Sequence, residues 1–327
     1  MANKRLALLN INEDLAGKFL GLLNCGYSIE ITSPEKADYI LHSLDGYDFL
    51  KYDAIKIFLT GEYFPPNFLF SDYAIGFDEI VFGDRYLQFP LIRFDQDRFD
   101  GIAGYRENLN ISEVLDRDFC TYVMSNVSNS SNEREEIFYE LNAYKVVYSG
   151  GKWNNNIGGP VKDKFEFISK AKFNIAFENL SQPGYLTEKL LDAFSANTIP
   201  IYWGDETAAK LFNPEAFINC HDYPDMKSVA EKVKLVDEDD ELYAHMISQP
   251  IFINGVEPDL FKVERLNDFM RHIFSKEITQ AKYTDKGRWQ IKKNKEANLM
   301  SNYPLRYLSR KLSRSFRIWR RGVIGRG

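Results

Sequence analysis

Short apolar runs alternate along the chain with segments whose apolar positions recur every three or four residues. The first pattern predicts buried strands and the second amphipathic helices. Residues 5–11 read as a strand, and 13–24 as a helix that stops near Gly26. Residues 28–32, 39–42, 54–60, 73–77 and 87–94 are further strands; the run AIKIFLT at 54–60 opens directly into Gly61-Glu62. A polar, weakly periodic stretch from 95 to 118 marks a domain boundary. A second series follows: a strand at 119–124, a helix at 132–145, and a strand at 146–148 that runs into Ser149-Gly150-Gly151. A helix at 163–173, a strand at 174–178, a helix at 187–196 and a strand at 199–203 come next, then mainly helices from 225 onward. Two such series predict an α/β fold of two doubly wound domains facing a cleft, at 1–118 and 119–280, with a helical basic tail at 281–327. In open sheets of this kind ligands lie beyond the carboxyl ends of the strands.

Composition narrows the class. The 327 residues suit about two domains, and 44% apolar with 27% charged residues describe a folded chain rather than a disordered one. The apolar runs are too short and too broken to span a bilayer, and the N-terminal MANKRLALLNINEDL lacks the apolar core of a signal peptide. Cys25, Cys120 and Cys220 are far apart and odd in number, as expected of free thiols in a reducing compartment, and four scattered histidines argue against a histidine metal site.

Charge adds one more element. The net charge of −6 hides a tail from 281 to 327 with 14 lysines and arginines against two acids, so the rest of the chain is strongly acidic. Past Pro304, a helix would align Leu305, Leu308, Leu312, Phe316 and Trp319 on one side. Arg306, Arg310, Arg314, Arg317 and Arg321 would lie mostly elsewhere around it. That pattern predicts contact with an anionic membrane surface through residues 303–321, hence a cytoplasmic protein peripheral on the inner membrane face. A solvated tail, or one folded on the acidic body, is the plainer alternative. Nucleic acid is not expected, because the acidic body would repel it.

The densest chemical signal is Phe177-Glu178-Asn179, a turn with Pro183 and Gly184, then Tyr185-Leu186-Thr187-Glu188-Lys189-Leu190 at a helix start. Thr187 is a plausible N-cap. Lys189 in the first turn meets the positive end of the helix dipole, unfavourable by roughly 0.3–1 kcal/mol when exposed. A bound phosphate would reverse that sign, and Glu188 beside it would suit paired sugar hydroxyls. A surface Glu–Lys pair at a helix start is the plainer reading. Arg134 begins the helix after the 119–124 strand, where a guanidinium can grip a diphosphate bidentately or lie among Glu133, Glu135 and Glu136 as surface. Glu62 follows the strongest strand of the first half; Phe58, Tyr63 and Phe64 could supply the apolar setting of a general base, or Glu62 could be a solvated loop residue. Asp72, Asp78 and Glu79 are weaker candidates at that edge. Asp-x-Asp pairs at 95/97, 116/118 and 237/239 could hold a divalent cation with a nucleotide diphosphate; the third reads as solvated surface.

These residues resemble the inverting α1,3/α1,4-fucosyltransferases, in particular their short bacterial members. The resemblance runs from about Ile57 to Pro250 and is carried by KFNIAFEN (172–179), YLTEKL (185–190), TIPIYWG (198–204), TGE (60–62), DYAIGFDE (72–79) and RYLQFPL (85–91). It implies two Rossmann-like domains, the second binding GDP-fucose and the first an oligosaccharide acceptor. Arg134 and Lys189 then neutralise the diphosphate, Glu188 holds the ribose or the fucose, Tyr185 and Asn179 line the donor site, and Glu62 is the base. With cations supplied by side chains, no cofactor and no divalent metal are required. The implied acceptor is an N-acetyllactosamine-type chain of a surface polysaccharide, fucosylated at the 3-hydroxyl of N-acetylglucosamine. A different nucleotide-sugar transferase that depends on a metal, and a non-catalytic carbohydrate-binding protein at a membrane, are the alternatives.

Overall fold

The computed structural model describes residues 3–102, 109–125, 131–284 and 287–301. The predicted basic amphipathic stretch at 303–321 lies outside these residues. The chain divides into two compact units, one made of 1–75, 82–87 and 267–327, the other of 76–81 and 88–266.

The first unit is built on a sheet of order β2-β1-β3-β4-β5-β6. Its strands are β1 (Asn3–Leu9), β2 (Ser28–Ile31), β3 (Tyr39–His42), β4 (Ile55–Leu59), β5 (Tyr73–Gly76) and β6 (Tyr86–Gln88), with helix α1 (Glu13–Leu22) between the first two. Pairing from β2 through to β5 is parallel. Asn12 caps α1 by accepting from the N–H groups of Asp14 and Leu15, as a short polar side chain at that position does. Strands β3, β4 and β5 are buried along their whole length, the mark of a parallel sheet covered on both faces.

The second unit carries α2 (Gln96–Ile102), α3 (Ile111–Leu115), β7 (Asp118–Tyr122), α4 (Glu133–Tyr144), β8 (Val147–Ser149), α5 (Lys164–Ile168), β9 (Ala171–Phe177), α6 (Glu188–Ser195), β10 (Ile199–Trp203), β11 (Ile218–Asn219), α7 (Met226–Glu238) and α8 (Asp240–Ile247). Its sheet is parallel throughout, in the order β11-β10-β9-β7-β8. Alternation along the strands builds two cores. Phe173, Ile175 and Phe177 of β9 join Ile137 and Leu141 of α4 and Val229 and Val233 of α7. Ala176, on the opposite face, meets Leu190, Leu191 and Phe194 of α6. Each such Phe, Leu, Ile or Val side chain, fully buried, contributes about 1.5–3 kcal/mol. Helices α9 (Val263–Ser275), α10 (Ile278–Ala281) and α11 (Arg288–Ser301) end the described chain.

Two parallel-sheet α/β units with a helical C-terminal part are therefore what the hydrophobic pattern predicts. The boundaries differ. The polar stretch expected to separate the domains near 118 packs with the second unit: Phe99 and Ile102 join the α6 core, and Val114 joins the other. Helices this short show too few turns for their periodicity to register. The helices from Asn267 on belong to the first unit. There Asn267 Oδ1 accepts from Asn24 N at 2.6 Å, and Phe274 packs edge-on to Tyr39 at 4.8 Å. Two local readings are corrected. Residues 171–173 are strand, because β9 runs unbroken from Ala171 to Phe177, paired on both sides and buried along its whole length. Residues 91–94 form a 3₁₀ turn after Pro90 instead of extending β6, since proline has no N–H to donate to a ladder.

Candidate active site

The second sheet has one place where strand order reverses. From β7 the chain passes to β8 on one side and then to β9 on the other. The carboxyl ends of β7 and β9 flank the crevice where a doubly wound sheet takes its ligand. Arg134 and Asn179 meet there. Arg134 is the second residue of α4, in the β7–β8 crossover, and is 3% exposed. Asn179 lies two residues past the end of β9. Arg134 Nη1 donates to Asn179 Oδ1 at 2.8 Å, and Ser131 N donates to the Asn179 carbonyl at 3.3 Å. The guanidinium thus ties the two arms of the crevice together. It also bears on the Tyr122 hydroxyl at the end of β7, which burial pushes up to about 12 against the pull of Arg134.

The Ser149-Gly150-Gly151 turn closes against the same strand end. Gly150 N donates to the Tyr122 carbonyl at 2.8 Å and Trp153 N to the Met124 carbonyl at 2.9 Å. A Cβ on Gly151 would stand 1.9 Å from the Met124 carbonyl oxygen, so only glycine permits this approach.

At the start of α6 the organising group is Glu178, which sequence reasoning left without a role. It is fully buried. Its carboxylate accepts from Thr187 N at 2.8 Å, Thr187 Oγ1 at 2.7 Å and Lys189 Nζ at 3.0 Å. Thr187 holds the N-cap position, but its hydroxyl donates to Glu178 and accepts from Lys189 Nζ at 2.9 Å, and it caps no backbone N–H of its helix. Lys189 is the predicted cation in the first turn, and the carboxylate beneath it offsets the dipole that would oppose it. Burial disfavours the ammonium, yet Glu178 and then Glu188 outweigh burial and hold its pKa above the ordinary value. Burial likewise raises the Glu188 carboxyl, but Lys189 and Lys164 outweigh it and hold it at about 2. Glu188 is half exposed, 3.4 Å from Lys189. Gly204, after β10, leaves room for the Glu178 stem: a Cβ there would lie 2.4 Å from Glu178 Cγ. Tyr185 is buried, its ring 5.3 Å from that of Phe77.

Glu62 belongs to the first unit and follows β4 at the carboxyl edge of its sheet. It is exposed. Its N–H donates to Thr60 Oγ1 at 3.1 Å, a turn that fixes the backbone next to it. The apolar setting expected from its neighbours is not built in this unit, because Phe58 is turned into the core beside His42 and Phe64 is half exposed. Asp72 is no candidate base: it is fully buried and accepts from the N–H groups of Lys56, Tyr283 and Thr284. Asp237, expected on a solvated surface, is buried, and Lys145, Lys172 and the Tyr144 hydroxyl surround it. A sequence pattern of acids cannot show that α7 turns this one inward. Among the described residues no group of three or more His, Cys, Asp or Glu is arranged to hold a metal ion, and no helix is long and apolar enough to cross a membrane.

Comparison with known proteins places this arrangement. Residues 116–248 match the C-terminal domain of glycosyltransferase family 10 (fucosyltransferase), and residues 9–95 match the N-terminal domain of α-(1,3)-fucosyltransferase FucT. The chain is 36% identical over 228 residues to the α-(1,3)-fucosyltransferase FucT of Helicobacter pylori, an alignment of 60% of this chain and 47% of that protein. It is 32% identical over 233 residues to a putative fucosyltransferase of Acanthamoeba polyphaga mimivirus, covering 66% of this chain and 36% of the relative. The chain thus spans less than half the length of these curated relatives. A crystal structure of an α1,3-fucosyltransferase with GDP-fucose superposes with a TM-score of 0.72 at 28% identity, over 85% of this chain and 92% of that one. With both of its characteristic domains matched in order along one chain, the protein belongs to glycosyltransferase family 10, the fucosyltransferases.

Proposed function

We propose that the protein is an α1,3-fucosyltransferase. It moves L-fucose from GDP-fucose to the 3-hydroxyl of N-acetylglucosamine in N-acetyllactosamine-type glycans of a surface polysaccharide, with inversion. The observation that carries this reading is the Arg134–Asn179 contact at the strand-order reversal of the second sheet, inside the segment matched to the family's C-terminal domain.

In the proposed reaction the Glu62 carboxylate accepts the proton of the acceptor hydroxyl. The hydroxyl oxygen bonds to the fucose anomeric carbon as the bond from that carbon to the GDP oxygen breaks. GDP leaves with the electron pair, and its developing charge is met by Arg134 and Lys189. Glu188, ionised throughout the neutral range, accepts from ribose or fucose hydroxyls; Asn179 and Tyr185 complete the donor site. Because Glu62 is solvated in the free protein, the bound acceptor itself would supply the apolar surroundings a base needs. Two side-chain cations replace the divalent metal on which many nucleotide-sugar transferases depend. We read residues 303–321 as contacting an anionic membrane surface, which would place the enzyme on the inner face of the cytoplasmic membrane.

The test is incubation of the purified protein with GDP-fucose and a panel of short acceptors, with and without EDTA, read by mass and by linkage analysis of the product. Expected are one added fucose on N-acetyllactosamine, at the 3-hydroxyl, and no loss of rate in EDTA. Glu62→Gln should lower turnover by about 10² or more with GDP affinity nearly intact; transfer at the wild-type rate would remove Glu62 from the mechanism.

A further inference from the structure

Glu62 sits on a long connection with no secondary structure of its own, between the end of β4 at Leu59 and the start of β5 at Tyr73. Loops of this length inside a compact fold are uncommon and usually functional. The Thr60 turn holds the backbone where the loop leaves β4, and the path of the rest of the loop sets where that turn carries the exposed carboxylate. A base must stand within hydrogen-bond reach of its proton, and a displacement of about 1 Å can cost about 10²-fold in rate.

The far end of the loop is held by Arg85 and by the C-terminal segment, within the same compact unit. Arg85 Nη2 donates to the Ser71 carbonyl at 3.1 Å and Arg85 Nε to the Asp72 carbonyl at 2.8 Å, so one guanidinium holds the far end of the loop. The same guanidinium lies over the rings of Phe68, Phe82 and Tyr283, at 5.0, 4.9 and 4.4 Å from their centroids. Phe68 is in the loop; Tyr283 is in the C-terminal segment. The buried Asp72 carboxylate draws that segment in, accepting from Tyr283 N and Thr284 N at 2.6 Å each. Gln290 of α11 donates to the Leu69 carbonyl at 2.9 Å. The segment is itself anchored, with Lys276 on Asp84 and on the Tyr73 hydroxyl, and Lys282 on Asp53.

We propose that the stretch 276–284 together with α11 forms a strap that sets the position of the 60–71 loop and of Glu62 on it, with Arg85, Tyr283 and Gln290 as positioning residues for fucosyl transfer. This rests on the reading of Glu62 as the base. A strap that only stabilised the fold would lower the folded fraction and leave each folded molecule as active as before. A positioning strap lowers kcat and leaves donor binding alone.

The experiment compares full-length wild type with Tyr283→Ala, Tyr283→Phe, Gln290→Ala and Glu62→Gln, by hydrogen exchange read on peptides and by steady-state kinetics. In Tyr283→Ala and in Gln290→Ala, amides at 61–71 should exchange faster while those of β4 and β9 stay protected. In both, kcat should fall about tenfold with the KM for GDP-fucose within about twofold. Tyr283→Phe, which keeps the ring under Arg85, should match wild type. Unchanged exchange at 61–71 in both alanine variants overturns the strap, as does a loosened loop with undiminished kcat. A fully active Glu62→Gln would instead overturn the assignment of the base, and the exchange data would still decide whether the strap holds the loop.

Discussion

Lys189 shows how one side chain can be legible in sequence and still be misjudged there. Its place in the first turn of α6 follows from the pattern, and so does the tension with the helix dipole. The relief comes from Glu178, nine to eleven residues away from the atoms it satisfies and fully buried beneath them. Removing the ammonium leaves that carboxylate in the interior with only Thr187 to serve it. Lys189→Ala should therefore destabilise the protein by about 3–5 kcal/mol, in the range for a buried ion pair that loses one partner. GDP binding by that variant would then fall for two reasons at once. The pair Glu178→Gln with Lys189→Met separates them: urea unfolding should show most of the stability restored, while calorimetric titration should still show weakened GDP binding. Full recovery of GDP affinity in the double variant would take Lys189 out of the donor site.

At the scale of elements, the reversal of strand order between β7 and β9 brings together residues from three separate stretches. These are Arg134 on α4, Asn179 after β9, and the Ser149-Gly150-Gly151 turn after β8. The turn must pass close to the end of β7, and Gly151 is the position where a side chain is least tolerable. Gly151→Ala would drive a methyl against the Met124 carbonyl, which belongs to the backbone and cannot rotate away. Overpacking of this kind typically costs about 1–3 kcal/mol. The variant should melt at a lower temperature and bind GDP more weakly, since the β7 end has to shift beside Arg134. Gly158→Ala, in the same connection with nothing within 4 Å of the added methyl but with φ at +89°, gives the comparison: backbone strain without a displaced β7. A Gly158→Ala protein that loses GDP as readily as Gly151→Ala would show that general destabilisation, not the strand end, is what GDP binding senses.

For the whole molecule the notable property is charge separated along the chain, an acidic body followed by a strongly basic tail. Each basic residue near an anionic surface contributes about 1 kcal/mol, so replacing Arg310, Arg314 and Arg317 by glutamine should weaken vesicle binding by about 3 kcal/mol, or about 10²-fold. Sedimentation with vesicles containing anionic lipid measures this, and transfer to a soluble acceptor should be unaffected. Equal binding of both proteins, or binding that ignores lipid charge, would leave the tail as solvated chain.

The amino-acid sequence by itself determined the class of the fold and most of its elements, because burial on both faces of a parallel sheet writes continuous apolar runs and helices write their own period. It also offered candidate residues in each unit, Glu62 in the first and Arg134, Glu188 and Lys189 in the second, at strand ends and helix starts, with the family resemblance supplying the roles proposed for them. Tertiary structure alone decided which charges were satisfied and by whom. That Asp237 and Asp72 are enclosed, that Glu178 and not solvent answers Lys189, and that Tyr283 reaches the loop of Glu62 are facts about partners distant in sequence. Local patterns report which way a chain can bend and which face it will bury. They carry no record of which remote group will arrive at a buried donor or acceptor, and the cost of leaving such a group unpartnered is what selects the arrangement found.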